Sequence, residues 1–127
     1  MLRFFAILVA LFTAFPAVAS NQVTACRDDV LHAVSSITEL PEQVQDLLGR
    51  FRPGISRMAD VGEKFNKFDV IVDDAPMNRL ISAQTGDHCI LALVEHGGRG
   101  YWREEIIFQR NEGKWSKSAK KSIPVRQ

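Results

Sequence analysis

The sequence predicts an α+β fold in which two N-terminal helices pack on one face of a four- to five-stranded antiparallel β-meander. Two observations predict this class. Between residues 21 and 52 the apolar residues recur every three or four positions, which is the period of an amphipathic helix. Between residues 68 and 120 short apolar and β-branched runs alternate with turn residues, a pattern typical of strands joined by hairpins.

The first 19 residues have the pattern of a secretory signal peptide. Arg3 supplies a cationic start, Phe4–Phe15 is an apolar run, and Ala17-Val18-Ala19 is a cleavage site of the small-x-small type. The apolar run is too short for a membrane span, which needs about 20 residues. We therefore expect residues 1–19 to be removed and residues 20–127 to form one exported domain, periplasmic or else fully secreted.

The charge of the chain is balanced. Its 127 residues include 16 Lys and Arg and 15 Asp and Glu, and loss of Arg3 with the signal peptide leaves 15 minus 15, a net charge of zero. This balance argues against a nucleic-acid-binding module, which usually carries a strong basic excess. The length is that of a single domain with one modest core.

Two helices are predicted in order along the chain. Apolar residues at positions 23, 26, 30, 34 and 37 form one stripe of a helix that begins near Asn21. A second helix is expected to begin at Pro41 and to end at Arg52-Pro53-Gly54. Residues 55–67 are expected to form a short helix or an irregular connection.

Five strands are predicted after the helices, separated by short turns that join antiparallel neighbours. They are Phe68–Asp73, Met77–Ala83, His88–His96, Tyr101–Arg110 and Trp115–Ala119. A four-residue hairpin loop at 97–100 would place His96 opposite Tyr101. With that register, Cys89, Leu91 and Leu93 would share the core face of the sheet with Ile106, Phe108 and Trp102.

The two cysteines, Cys26 and Cys89, are predicted to form a disulfide, because an even number of cysteines in an exported protein is typical of disulfide bonding. The bond would join the first helix to the sheet through the core. An alternative is lipid attachment at Cys26, since Val23-Thr24-Ala25-Cys26 resembles the cleavage motif of bacterial lipoproteins. The polar residues Ser20-Asn21-Gln22 argue against it, because the apolar run normally abuts that motif.

The densest mixture of polar, charged and aromatic groups is expected where the 73–76 turn and the 97–100 hairpin lie side by side at one end of the sheet. Binding residues are predicted there, because Tyr, Trp and Arg are enriched at protein interfaces. They are Asp74, Glu95, His96, Arg99, Tyr101 and Trp102.

We expect a small exported binding protein without catalytic activity, such as an inhibitor or immunity protein, that contacts a protein through the edge formed by Asp73–Pro76 and Glu95–Trp102. The alternative is a small-ligand-binding protein or acid/base enzyme on a curved sheet wrapped by helices, with Asp73, Asp74 and His96 as its acid and base groups. No cofactor is predicted. No metal site is predicted either, since the three histidines at 32, 88 and 96 lack the spacing of metal ligands.

The chain ends in a short basic tail. The sheet region before it carries four lysines near the predicted last strand, namely Lys114, Lys117, Lys120 and Lys121. Lysines on an edge strand commonly protect the strand from pairing with another chain. The alternative is contact with an anionic partner, such as a membrane surface or an acidic polymer.

Overall fold

The structure is a computed structural model that describes residues 24–70 and 73–125, and its centre is a six-stranded sheet. Its strands are β1 His32–Val34, β2 Met58–Ala59, β3 Asn78–Thr85, β4 Cys89–His96, β5 Trp102–Asn111 and β6 Lys114–Ile123. They occur in the antiparallel order β1-β3-β4-β5-β6, and β2 pairs in parallel with the same edge of β3 as β1. The predicted antiparallel sheet is therefore confirmed.

The predicted α+β class with two N-terminal helices is wrong, because the described chain is mostly β. The expected first helix is reduced to the four residues of α1, Thr24–Arg27, and its later part forms β1 on the edge of β3. Asp29 explains the change, since its carboxylate accepts hydrogen bonds from the backbone of His88 and Cys89 and holds the chain against the start of β4. Tertiary pairing has overridden the helical period of the sequence.

The second helix is present but shorter than expected. Helix α2 spans Glu42–Leu48 and ends at Gly49, whose left-handed backbone (φ 88°) lets its N–H reach the carbonyl groups of the last turn. A single 3₁₀ turn lies on each side of α2, at Ile37–Glu39 before it and at Gly54–Ser56 after it. Residues 68–70 and 73 form no strand, so the predicted strand Phe68–Asp73 is not found in its described part.

The loop between β4 and β5 has five residues rather than the predicted four. The extra residue changes which face of β4 points toward the core. His96 pairs with Trp102, and the pairing continues down the strands to Ile90 and Phe108. Because side chains alternate, a shift of one residue moves every β4 side chain to the opposite face. Leu91, Leu93 and Cys89 therefore lie on the face away from the main core.

Two β-bulges interrupt the alternation of side chains in β3 and β6. Ile81 in β3 and Ser118 in β6 have no partner in the ladder, so residues three apart on either side of each bulge share a face. Leu80 and Ala83 are consequently both buried. The core lies between this face and the segment 37–48, and its buried members are Ile37, Leu40, Val44, Leu48, Met58, Leu80, Ala83, Ile90, Ala92, Val94, Ile106, Phe108 and Trp115.

The predicted disulfide between Cys26 and Cys89 is confirmed, with the two Cα atoms 5.1 Å apart. Cys89 is completely buried, yet it lies outside the main core cluster, so the bond joins the N-terminal segment to the other face of the sheet. One sulfur cannot carry both a disulfide and a thioether, so lipid attachment at Cys26 is incompatible with this bond. The predicted signal peptide, residues 1–19, lies outside the described residues, and no helix within them is long and apolar enough to cross a membrane.

Asp29 is expected to make the stability of the fold depend on acid pH. The backbone hydrogen bond from His88 is the main reason that the pKa of Asp29 lies below its ordinary value. A group with a lowered pKa stabilises the fold above its unfolded pKa of about 4, and this contribution is lost as the pH falls through the folded pKa. In urea unfolding between pH 6 and pH 2.5, Asp29→Asn should therefore lose less stability than the wild type. The control is Asp87→Asn, which removes an exposed acid from the β3–β4 turn that Asp29 contacts, and it should follow the wild type.

Candidate functional site

The hairpin joining β4 to β5 presents two groups of polar side chains on opposite faces of the sheet. Glu95 and His96 are consecutive in β4, so one points to each face. Glu95 is gathered with Tyr101 and Arg103, whereas His96 is gathered with Trp102 on the face that carries α2. The predicted binding edge is therefore divided in two.

Glu95 is the centre of the first group. Its side chain is buried, and its carboxylate accepts a hydrogen bond of 2.5 Å from Arg79 Nε and a second one from the hydroxyl of Tyr101. Arg103 Nε in turn donates to the Tyr101 hydroxyl oxygen at 2.8 Å. Burial, followed by the hydrogen bond to Glu95, raises the pKa of Tyr101, so this hydroxyl keeps its proton and remains a donor.

The segment 65–67 covers this group and fixes the hairpin. The guanidinium of Arg79 lies 4.2 Å from the ring centre of Phe65, and Lys67 Nζ lies 4.7 Å from that of Tyr101. Gly97 permits this close approach, because a Cβ atom there would come within 1.8 Å of the carbonyl oxygen of Asn66. The segment 65–67 thus contacts the hairpin at two places, at the ring of Tyr101 and at the backbone of Gly97.

His96 is the centre of the second group. Its ring stacks on Trp102 with 4.2 Å between ring centres, its Nδ1 lies 2.7 Å from Asn78 Oδ1, and its Nε2 lies 3.1 Å from Glu104 Oε1. The Asn78 amide donates to the carbonyl of Ser56, which turns its oxygen toward the ring. The Asn78 oxygen can thus accept a hydrogen bond from Nδ1, and Nε2 lies within hydrogen-bond distance of the Glu104 carboxylate. Both ring nitrogens are occupied.

Exposed apolar side chains surround the hairpin at its outer end. Phe68 is 70% exposed, Trp102 40% and Val125 39%. Together with Lys67, Gly100, Tyr101, Ile123 and Pro124 they line an open cleft of about 510 Å³. We call the set formed by Lys67, Phe68, Arg99, Tyr101, Trp102 and Val125 the hairpin surface.

The remaining residues of the predicted site have other surroundings. Asp73 pairs with Lys64 and accepts a hydrogen bond from the backbone of Ala75, while Asp74 is exposed. No hydrogen bond or ion pair joins either aspartate to His96 within the part of the chain that the structure describes. The alternative acid and base set is therefore not assembled by direct contacts, and Glu104 is the carboxylate beside the imidazole.

Several residues of these groups escaped the sequence-based prediction. Asn78 and Glu104 were missed because their proximity to His96 depends on the five-residue loop, which the predicted register did not contain. Phe68 was assigned to a strand, and its exposure could not be expected from that assignment. The missed residues with a role at the hairpin are Phe65, Lys67, Phe68, Asn78, Arg79, Arg103 and Glu104.

No group of three or more His, Cys, Asp or Glu residues within 24–70 and 73–125 could hold a metal ion. Comparison with known proteins finds no matching family model, no similar curated protein and no similar solved structure.

Proposed function

We propose that the protein is an exported binding protein without catalytic activity that uses the hairpin surface to bind another protein. The exposure of Phe68, Trp102 and Val125 around one cleft carries the proposal, because contiguous exposed apolar groups with Tyr, Trp and Arg among them are typical of protein interfaces. The disulfide between Cys26 and Cys89 is consistent with export.

The charge of the hairpin surface indicates the chemistry of the partner. Lys67, Arg99 and the neighbouring Arg103 are cationic, and the buried carboxylate of Glu95 is already paired with Arg79. Against these cations stands Asp69, the acidic residue that follows Phe68 in the sequence. The excess of cations favours an acidic protein surface that inserts an apolar side chain into the cleft.

The geometry of His96 supports the absence of catalysis. A general base needs a ring nitrogen that can reach a proton of the substrate. Both nitrogens of His96 are engaged, by Asn78 and by Glu104, and the ring face is covered by Trp102. The side chain therefore acts as a support for the base of the hairpin.

Photocrosslinking tests the proposal. A benzophenone side chain replaces Phe68 in the full chain expressed in the source cells, and the matched control carries it at Phe51, which is 61% exposed and lies beyond α2. We expect an adduct with one acidic protein from position 68 and none with that protein from position 51. Equal adducts from both positions, or none from position 68, would contradict the proposal.

The partner identified in this way is then purified for a binding measurement. Arg99 is exposed at the tip of the hairpin. Arg99→Glu should slow association about tenfold at low salt, because it reverses a charge that steers the partner, and added salt should reduce the difference. Phe68→Ser should accelerate dissociation, whereas Phe51→Ser should leave both rates unchanged. A partner that binds the Arg99→Glu and Phe68→Ser variants as well as the wild type would refute the role of this surface.

A further inference from the structure

A second cleft lies on the α2 face of the sheet and carries an unbalanced positive charge. It has a volume of about 230 Å³ and lies between α2 and the strands β5 and β6. Three cationic side chains line it, namely Arg52, Lys117 and Lys120. None of the three forms a salt bridge in the described part of the chain.

The bulge at Ser118 brings the two lysines together. Lys117 pairs with Phe108 and Lys120 with Ile106, so both lie on the α2 face although they are three residues apart. In a regular strand, residues with that spacing point to opposite faces. The Ser118 hydroxyl donates to the carbonyl of Ile107 at 3.2 Å and holds the extra residue in place. Bulges that redirect side chains in this way are frequent beside binding sites.

Arg52 lines the cleft from the end of α2. Its backbone N–H donates to the Gly49 carbonyl, and its side chain lies against the Gly49 Cα, where a Cβ atom would come within 3.0 Å of the Arg52 Nε. Glycine at position 49 thus leaves room for the guanidinium.

The proximity of the three cations has a cost in the unliganded protein. Loss of hydration around the Lys117 ammonium, then the positive charges of Lys120 and Arg52, lower the pKa of Lys117. Glu104 offsets part of this charge, but its carboxylate is also held by His96 Nε2. An anion in the cleft would relieve the repulsion.

We propose that this cleft binds the phosphate group of a small phosphate ester or of a phospholipid headgroup. Arg and Lys donors that line one cleft suit a multiply charged tetrahedral oxyanion, and the His96 and Trp102 rings line the same cleft and offer a wall for an attached organic group. The volume lies below the range of about 300 to 1,000 Å³ typical of sites for drug-sized ligands, so the ligand enters only by its phosphate end. The site shares only Trp102 with the hairpin surface, and the three cations on which the proposal rests, Arg52, Lys117 and Lys120, are not part of that surface.

The strand β6 offers a matched pair of variants. Lys120 lies in the cleft, whereas Lys121 is the next residue, pairs with Glu105 and points to the opposite face. Lys120→Gln and Lys121→Gln therefore remove the same charge from the same strand. Titration calorimetry with phenyl phosphate should show affinity reduced roughly tenfold by Lys120→Gln and little changed by Lys121→Gln. An equal reduction in both variants would overturn the proposal, since it would indicate only the overall charge.

Two further measurements fix the ligand group and its location. Benzoate, which carries a carboxylate on the same ring, should bind at least tenfold more weakly than phenyl phosphate, and equal affinity would overturn the assignment to phosphate. In two-dimensional NMR the indole N–H of Trp102 should shift on titration, with the buried Trp115 as internal reference. Shifts confined to other residues would place the anion elsewhere and refute the proposal.

Vesicle flotation distinguishes the two sources of the phosphate group. Vesicles of phosphatidylcholine with phosphatidic acid are compared with vesicles of phosphatidylcholine alone. Flotation with phosphatidic acid that is lost in Lys120→Gln but kept in Lys121→Gln would identify a lipid headgroup as the ligand. Calorimetric binding of phenyl phosphate without flotation would identify a soluble phosphate ester. Absence of both would overturn the proposal.

Discussion

Replacing Arg79 with methionine is expected to destabilise the protein by about 2–4 kcal/mol at neutral pH, because it leaves the carboxylate of Glu95 buried without its charged partner. Glu95 is only 3% exposed, and Arg79 is its ion-pair partner, at 2.5 Å. The estimate lies below that for a fully buried pair, since the Arg79 side chain is 30% exposed. Urea unfolding followed by circular dichroism measures the loss.

The double variant Arg79→Met/Glu95→Gln separates the charge from the packing. Removal of both charges leaves a neutral side chain that still accepts the hydrogen bond of Tyr101. We therefore expect the double variant to recover at least half of the stability lost in the single variant. A double variant as unstable as Arg79→Met would show that the contact of the guanidinium with Phe65, at 4.2 Å, makes the larger contribution.

The ion pair of Arg79 and Glu95 illustrates what the sequence could predict about the site. Turn residues and β-branched runs located β3, β4 and β5 to within a few residues, because these signals are local. The partner of Glu95 depends on the register of two hairpins, and each register depends on a single residue of loop length or on a bulge. Gly98 and Gly100 both adopt positive φ in the five-residue loop, and the sequence does not distinguish this loop from a shorter one.

The prediction of a helix in the N-terminal region was wrong for a different reason. The stripe at positions 23, 26, 30, 34 and 37 has a helical period, but the segment is tied to distant parts of the chain at two points. Cys26 is bonded to Cys89, and Asp29 accepts from the backbone of His88. Contacts between residues about 60 positions apart cannot be read from a local period, and they place residues 32–34 on the edge of the sheet.

The same argument applies to the cleft lined by Arg52, Lys117 and Lys120. The lysines of β6 were expected to protect an edge strand, and β6 is indeed at the edge of the sheet. Alternation alone would have placed Lys117 and Lys120 on opposite faces. Only the bulge at Ser118 unites them, so a local irregularity of the backbone converts a distributed charge into a concentrated one.

Removal of the disulfide is expected to lower the free energy of unfolding by about 4 kcal/mol. The bond joins residues 63 positions apart, and a crosslink over a long loop removes much of the conformational entropy of the unfolded chain. Cys26→Ala/Cys89→Ala is the appropriate variant, because Cys89 is fully buried and serine there would place a hydroxyl in an apolar position. Unfolding in guanidinium chloride, monitored by tryptophan fluorescence, measures the change.

Reduced wild type serves as the control for this variant. If the loss comes from the crosslink, the reduced protein and the double variant should unfold at the same denaturant concentration, well below that of the oxidised protein. The hydrogen bonds of Asp29 to the start of β4 do not depend on the sulfur atoms, so α1 and β1 should remain beside the sheet in the folded variant. A loss below about 1 kcal/mol would mean that residual structure already restricts the N-terminal segment in the unfolded chain, and the entropic account of the bond would be wrong.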